Sequence, residues 1–214
     1  MAVAEGALDR ATAALIALAA TAASGNRDEV RSAVDAAIAA GVAARAVDEL
    51  ILQSVLTLGW PRALVAAEVW RAASGAAPTG GDDGLDYTEH AAWAERGEET
   101  CRVIYGESFE KLRRNVRALH PALEQWMIIE GYGRTLSRPG LALPVRELCT
   151  VAQIAVLDAP RQLHSHLLGA VRAGASIEAV EATLGLVRPM VHPADLAVIE
   201  DLWDKVRSAA VGRS

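Results

Sequence analysis

Residues 143–174 read LPVRELCTVAQIAVLDAPRQLHSHLLGAVRAG, and their punctuation sets the layout of the chain. Pro144 and Pro160 stand where proline is tolerated, in the first turn of a helix, because the N–H that proline lacks has no acceptor there. Gly174 is placed as the C′ glycine that ends the helix begun by Pro160. Ser176 offers a hydroxyl cap to the next helix, and Pro193 opens a last one. Upstream, further helices are predicted over Thr88–Tyr105, Glu107–Leu119 and Pro121–Arg134.

Sliding the chain against itself by 133 positions aligns Leu15 with Leu148, Gly41 with Gly174, Val47 with Val180, Val65 with Val198 and Trp70 with Trp203, without a gap. Alanine matches mean little in so alanine-rich a chain, but the paired glycines and tryptophans fall in one register and suggest duplication. Gly41 and Pro61 punctuate the first copy. Ser74–Asp86 (SGAAPTGGDDGLD) concentrates Gly, Pro and Asp without apolar period and reads as a flexible linker. The expected organisation is a first, degenerate repeat over 1–75, a linker and connecting helix over 76–100, and a second repeat over 101–214.

Composition agrees with helices throughout. Of 214 residues 52% are apolar but only 4% aromatic, and alanine and leucine favour helix where strands prefer β-branched and aromatic residues. The fold class is therefore all-α. A formal charge of −6 and a pI near 5.4 leave no basic footprint for nucleic acid, and no basic run points to a membrane surface. Cys101 and Cys149 lie far apart, in no metal or redox spacing, which suits a reducing, cytoplasmic setting. No metal and no cofactor are expected. The apolar stretch within Met1–Ala23 lacks a basic leader and follows Glu5 and Asp9, so it reads as a helix of the fold rather than a signal peptide or a span.

The run HPALEQWMIIEGYGRTLSRPGLALPVREL from His120, followed by RQLHSHLLGAVRAG from Arg161, resembles gamma-carboxymuconolactone decarboxylase and its relatives. These share an SRPGL-type turn, an alanine-rich helix and an L-x-x-H-x-x-x-A-x-x-x-G helix. The resemblance covers Cys101 to Arg207, and more weakly Gly59–Leu64 (GWPRAL). It implies an AhpD-like helical fold built of two tandem repeats. Single-repeat relatives form hexameric rings, so a duplicated chain implies a homotrimer. The alkylhydroperoxidase D-like branch of the superfamily carries E-x11-C-x2-C-x3-H. On this chain that pattern falls on Glu147, Ala159, Gln162 and His166, so both thiols are missing. Without a thiolate there is no nucleophile to reduce a peroxide and no partner to resolve a sulfenic acid.

The lyase branch needs no cysteine. Loss of carbon dioxide from a lactone acid requires protonation of a carbon that accumulates charge, work suited to a histidine of near-neutral pKa. His166 matches the family's histidine. Glu147 departs from the decarboxylase pattern and follows the redox branch. Both have structural alternatives: His166 as a core histidine among Gly169, Ala170 and Ala173, Glu147 as an acid favoured by a helix N-terminus. Ala14 and Ala33 stand at the equivalent positions upstream, which places the site in the second repeat alone. Glu130, Tyr132, Arg134, His164 and Trp126 are the candidate substrate-binding residues. Glu130 and Arg134 are also spaced for an intrahelical pair, and His164 lies about 200° around the helix from His166. Arg138 in SRPG is a loop bridge or a carboxylate anchor. The core or a subunit interface is the bland home for Trp60, Trp70, Trp126 and Trp203.

Three functions follow as alternatives: a thiol-independent lyase or isomerase acting on a small carboxylated or lactone metabolite, a non-catalytic binding or scaffold protein, and a hydroperoxidase using Cys149 alone.

Overall fold

The computed structural model describes residues 6–78 and 84–211, and among them there are helices and turns but no strand. The helices are α1 (Arg10–Ser24), α2 (Arg27–Ala39), α3 (Ala44–Ser74), α4 (His90–Tyr105), α5 (Phe109–Leu119), α6 (Pro121–Trp126), α7 (Leu143–Val156), α8 (Pro160–Arg172), α9 (Ile177–Val187) and α10 (Leu196–Val211), with a π-helical segment, Met127–Leu136, following α6. The linker expected over Ser74–Asp86 begins where α3 ends, at Gly75 with φ +63°. Residues 79–83 of it lie outside the described residues.

Local chemistry accounts for most boundaries. The Asp9 carboxylate accepts from Thr12 N at 2.9 Å and starts α1. The Asn26 side chain accepts from two amides and starts α2. Ser176 accepts from Ala179 N and starts α9. Each satisfies amides that a helix leaves orphaned. Helix α8 begins at Pro160, and Gly174 turns the chain at φ +104°. Pro193 sits in a turn that leads into α10 rather than within it.

The starts of α1, α2 and α3 at residues 10, 27 and 44 stand 133 positions before those of α7, α8 and α9 at 143, 160 and 177. A tertiary contact repeats in the same register. Trp70 Nε1 donates to Asp48 at 2.9 Å, and Trp203 Nε1 donates to Glu181 at 3.2 Å. The two regions share one core. Helices α1 and α7 pack against each other in it, and Ile16, Val34, Val47, Val151, Leu167 and Val180 have no exposed surface. Trp70 and Trp203 are buried in it.

A smaller cluster of Cys101, Ile104, Phe109, Ile128, Tyr132 and Leu136 joins α4 and α5 to the π segment. Here the backbones touch. A Cβ at Gly97 would overlap the Ile128 carbonyl oxygen, and one at Gly133 would overlap that of Trp93. The sequence predicts a regular helix over Pro121–Arg134. Instead the ladder widens after Trp126, with Ser137 N donating to Tyr132 O. Gly131 and Gly133 cost a regular helix stability, and the approach of α4 fixes the alternative ladder.

Charge is buried where α3 meets α7. Glu49, 1% exposed, is held in a fork by Arg138 and accepts from Arg146, which has no exposed surface. Arg138 is thus the loop bridge, anchoring the turn before α7. By length and composition α3 is long and apolar enough to cross a membrane, and 28% of its apolar window is buried. It is bent by Gly59, at φ +70°, and Pro61. Leu52 and Leu56 before the bend, and Trp60 and Leu64 after it, are all exposed.

Candidate functional site

Glu147 lies in the second turn of α7, beyond the first turn where a helix N-terminus would favour an acid, and His166 lies two turns into α8. The packing of these helices brings His166 Nδ1 to 2.9 Å from Glu147 Oε2. The glutamate side chain has no exposed surface and the histidine is 13% exposed. Room for the carboxylate comes from Gly169, where a Cβ would stand 2.7 Å from Glu147 Oε2 and 2.6 Å from Ile104 Cγ2. Glu147 Oε1 is buried with no hydrogen-bond partner among the described residues. A carboxylate accepting from Nδ1–H fixes the imidazole tautomer and leaves Nε2 as the nitrogen that can meet a ligand.

His166 faces a cavity of about 360 Å³, within the range of small-molecule sites. Its apolar wall is Leu56, Leu123, Trp126, Met127 and Leu136, and its polar lining is Gln53, Thr57, Thr150, Glu130, Tyr132 and His166. Three of these polar groups have their donors committed inside the protein. Gln53 Nε2 donates to Arg146 O and Thr150 Oγ1, Thr150 Oγ1 donates to Arg146 O, and Thr57 Oγ1 donates to Gln153 Oε1. The Tyr132 hydroxyl is 3.3 Å from that of Tyr105. Burial pushes both phenols up, Tyr105 to about 12, so they stay protonated.

Of the sequence candidates, His166, Glu130, Tyr132 and Trp126 line this cavity and Glu147 backs His166. Arg134 and His164 do not line it. The Arg134 guanidinium turns to the other side of the π segment, donates to Gly84 O at 2.8 Å, pairs with Glu130 and stacks over Tyr87 and Trp93. It borders a second cleft with Arg96 and Arg138. His164 is carried off the cavity by the helical turn that separates it from His166. Trp60 and Trp126, 67% and 64% exposed, are not core residues.

The expectation of a site confined to the second repeat needs correction. The pair does lie on α7 and α8, but Gln53, Leu56 and Thr57 of α3 form one side of the cavity. Their only sequence signal is a polar pair, Gln53 and Thr57, spaced one turn apart on an apolar helix.

Both cysteines are free and fully buried, and burial pushes each thiol up to about 12. Neither lines the cavity, and neither presents a thiolate near neutral pH. Among the described residues no three His, Cys, Asp or Glu side chains converge as a metal site would require.

No curated protein matches the chain. A family match falls on the segment that carries α1, α2 and nearly all of α3, where Ala14 and Ala33 stand in place of the acid and the histidine. Residues 1–72 match the carboxymuconolactone decarboxylase family, the same family that the motifs between His120 and Gly174 resemble.

Proposed function

We propose that the protein is a thiol-independent acid–base lyase or isomerase acting on a small carboxylated or lactone metabolite, with His166 moving the proton and Glu147 orienting it. The observation that carries this reading is the 2.9 Å contact between His166 Nδ1 and Glu147 Oε2 at the wall of an open cavity. The carboxylate holds Nδ1–H, so Nε2 takes a proton from carbon next to a carbonyl, or as imidazolium returns one to the carbanion left when a carbon–carbon bond breaks. The buried thiols argue against peroxide reduction. The test is turnover of a panel of small lactones and lactone acids by the wild type and by His166→Gln. Loss of turnover in a folded variant supports the reading, and unchanged turnover refutes it.

A binding or scaffold role is the competing reading. It is favoured by the family match lying on the stretch that has alanines where the pair would stand. It predicts that His166→Ala alters stability alone.

The chain's two halves are read here as products of duplication, on the common register of their helix starts and their tryptophan–carboxylate contacts. The exposed apolar residues Leu52, Leu56, Trp60 and Leu64, beside Leu123 and Trp126, are read as the contact face of a homotrimer in the cytoplasm. Arg62 and the Gly59 bend within α3, and the buried carboxylates Asp48 and Glu49 near its start, argue against a bilayer as the covering phase. Sedimentation equilibrium near three times 22.5 kDa supports the trimer, and a monomer refutes it.

A further inference from the structure

A base at His166 needs a counterpart. When its Nε2 removes a proton from carbon next to a carbonyl, negative charge develops on the carbonyl oxygen, and the cavity must offer that oxygen a hydrogen-bond donor. With Nδ1–H held by Glu147, a neutral imidazole presents only an acceptor there. The donors of Gln53, Thr57 and Thr150 are committed within the protein. Glu130, paired with Arg134, offers oxygens alone. Trp126 is mostly exposed, where a ligand competes with water. Among the described lining residues that leaves the hydroxyl of Tyr132, a side chain 5% exposed. It lies 3.3 Å from the Tyr105 hydroxyl. Tyr105 ends α4 and does not line the cavity. Arg172, on the helix that carries His166, donates to the backbone oxygens of Ile104 and Tyr105 and pins that end in place. Hydroxyl hydrogens rotate, so either phenol can donate to the other. Tyr105 has no other side-chain hydrogen-bond partner among the described residues. When it donates to Tyr132, the Tyr132 proton is released to a ligand oxygen, and each bond of such a chain strengthens the next.

We infer that Tyr132 is a second catalytic residue of this site, donating a hydrogen bond to the oxyanion that forms when His166 takes the proton, and that Tyr105 positions it. This deepens the acid–base reading and rests on it for that proton transfer. His166 Nε2 takes the proton from carbon, the C–H electron pair forms a carbon–carbon double bond, and the carbonyl π pair moves to oxygen. Tyr132 O–H holds that oxygen without surrendering its proton, because burial keeps both phenols protonated. The imidazolium then returns its proton to carbon and the carbonyl re-forms, so no further reactant is consumed. The π segment has a use in this arrangement. Its widened ladder, fixed by the approach of α4, sets Tyr132 beside Tyr105, and such ladders recur at functional sites.

The test uses the full chain and 4-nitrophenolate, an aryl oxyanion that stands in for the enolate, in mildly alkaline buffer that keeps it ionised. The probe is titrated by absorbance into wild type, Tyr132→Phe, Tyr105→Phe and the double variant. Phenylalanine keeps both rings and with them the packing of the cluster. Wild type should bind the phenolate at least about tenfold more tightly than Tyr132→Phe. Tyr105→Phe should show a smaller loss, and none in the Tyr132→Phe background, since it acts only through Tyr132. In deuterium exchange of γ-nonalactone, Tyr132→Phe should lower kcat by about 100-fold with KM little changed. Failure of wild type to bind the phenolate overturns the inference, and so does Tyr132→Phe binding it as wild type does. A Tyr105→Phe loss that persists in the double variant overturns the positioning role. The two readings fail separately. Exchange sensitive to His166→Gln but not to Tyr132→Phe overturns only the role of Tyr132. Phenolate binding that depends on Tyr132, with exchange indifferent to His166→Gln, overturns only the acid–base reading.

Discussion

Gly169→Ala is a test of the pair that never touches either member. In an ordinary helix interior this change stabilises by about 1 kcal/mol. Here the new Cβ would stand 2.7 Å from Glu147 Oε2 and 2.6 Å from Ile104 Cγ2, where about 3.4 Å is ordinary contact, so the carboxylate must retreat by about 0.7 Å. That retreat lengthens the 2.9 Å bond to His166 to about 3.6 Å, beyond useful hydrogen-bond range. The loss of a bond to a charged group costs about 1.5–3 kcal/mol, and overpacking adds about 1–3 kcal/mol. Against the helix gain, net destabilisation of about 1.5–5 kcal/mol is expected, a melting shift of roughly 3–20 °C for a chain of this size. Thermal denaturation measures the shift, and NMR of the imidazole Nδ1–H measures the hydrogen bond. A variant as stable as wild type with an unchanged Nδ1–H resonance would refute the reasoning, since the two helices would then not be in the contact that defines the site.

Other consequences follow from the same contacts. Glu49→Gln leaves the buried Arg146 guanidinium without its carboxylate and should destabilise by about 3–5 kcal/mol in urea denaturation. Native protein at pH 8 should not react with an aromatic disulfide reagent while both cysteines titrate in denaturant, because burial raises Cys101 and Cys149 to about 12. Folding holds those protons, along with that of Tyr105 raised to about 12, more tightly than the unfolded chain does. Stability from these groups is therefore complete below pH 9 and lost as pH rises toward 12, which equilibrium unfolding across that window would register. Trp60→Asp places a charge on the exposed face of α3, and should shift the sedimentation mass from trimer toward monomer with the helical circular dichroism unchanged.

The parts of this fold that could be read in advance were those that local chemistry decides. Pro160 and Gly174 bound α8 because neither residue can do otherwise there, and the spacing from Glu147 to His166 followed from a family resemblance. What could not be read was set by packing between distant segments. Gln53, Leu56 and Thr57 reach the cavity only because α3 lies across α7. Arg134 carries the right charge at the right spacing, yet Tyr87, Trp93 and Gly84 O claim it from another part of the chain. The π segment arises where α4 meets Gly133 backbone to backbone, an approach that a one-dimensional pattern cannot anticipate. Trp126 carries two readings in the sequence, a candidate binding residue and a bulky core or interface residue, and its place in the cavity lining depends on that same segment.

The most direct measurement of the central claim, that His166 moves a proton with Glu147 behind it, is hydrogen exchange at the carbon next to the carbonyl of γ-nonalactone, followed by NMR in deuterated water. Wild type should incorporate deuterium well above the buffer rate. His166→Gln should slow it by about 100-fold or more, and Glu147→Gln should slow it by about tenfold through a misoriented imidazole. Exchange at the buffer rate with wild type, or at the wild-type rate with His166→Gln, would contradict the account.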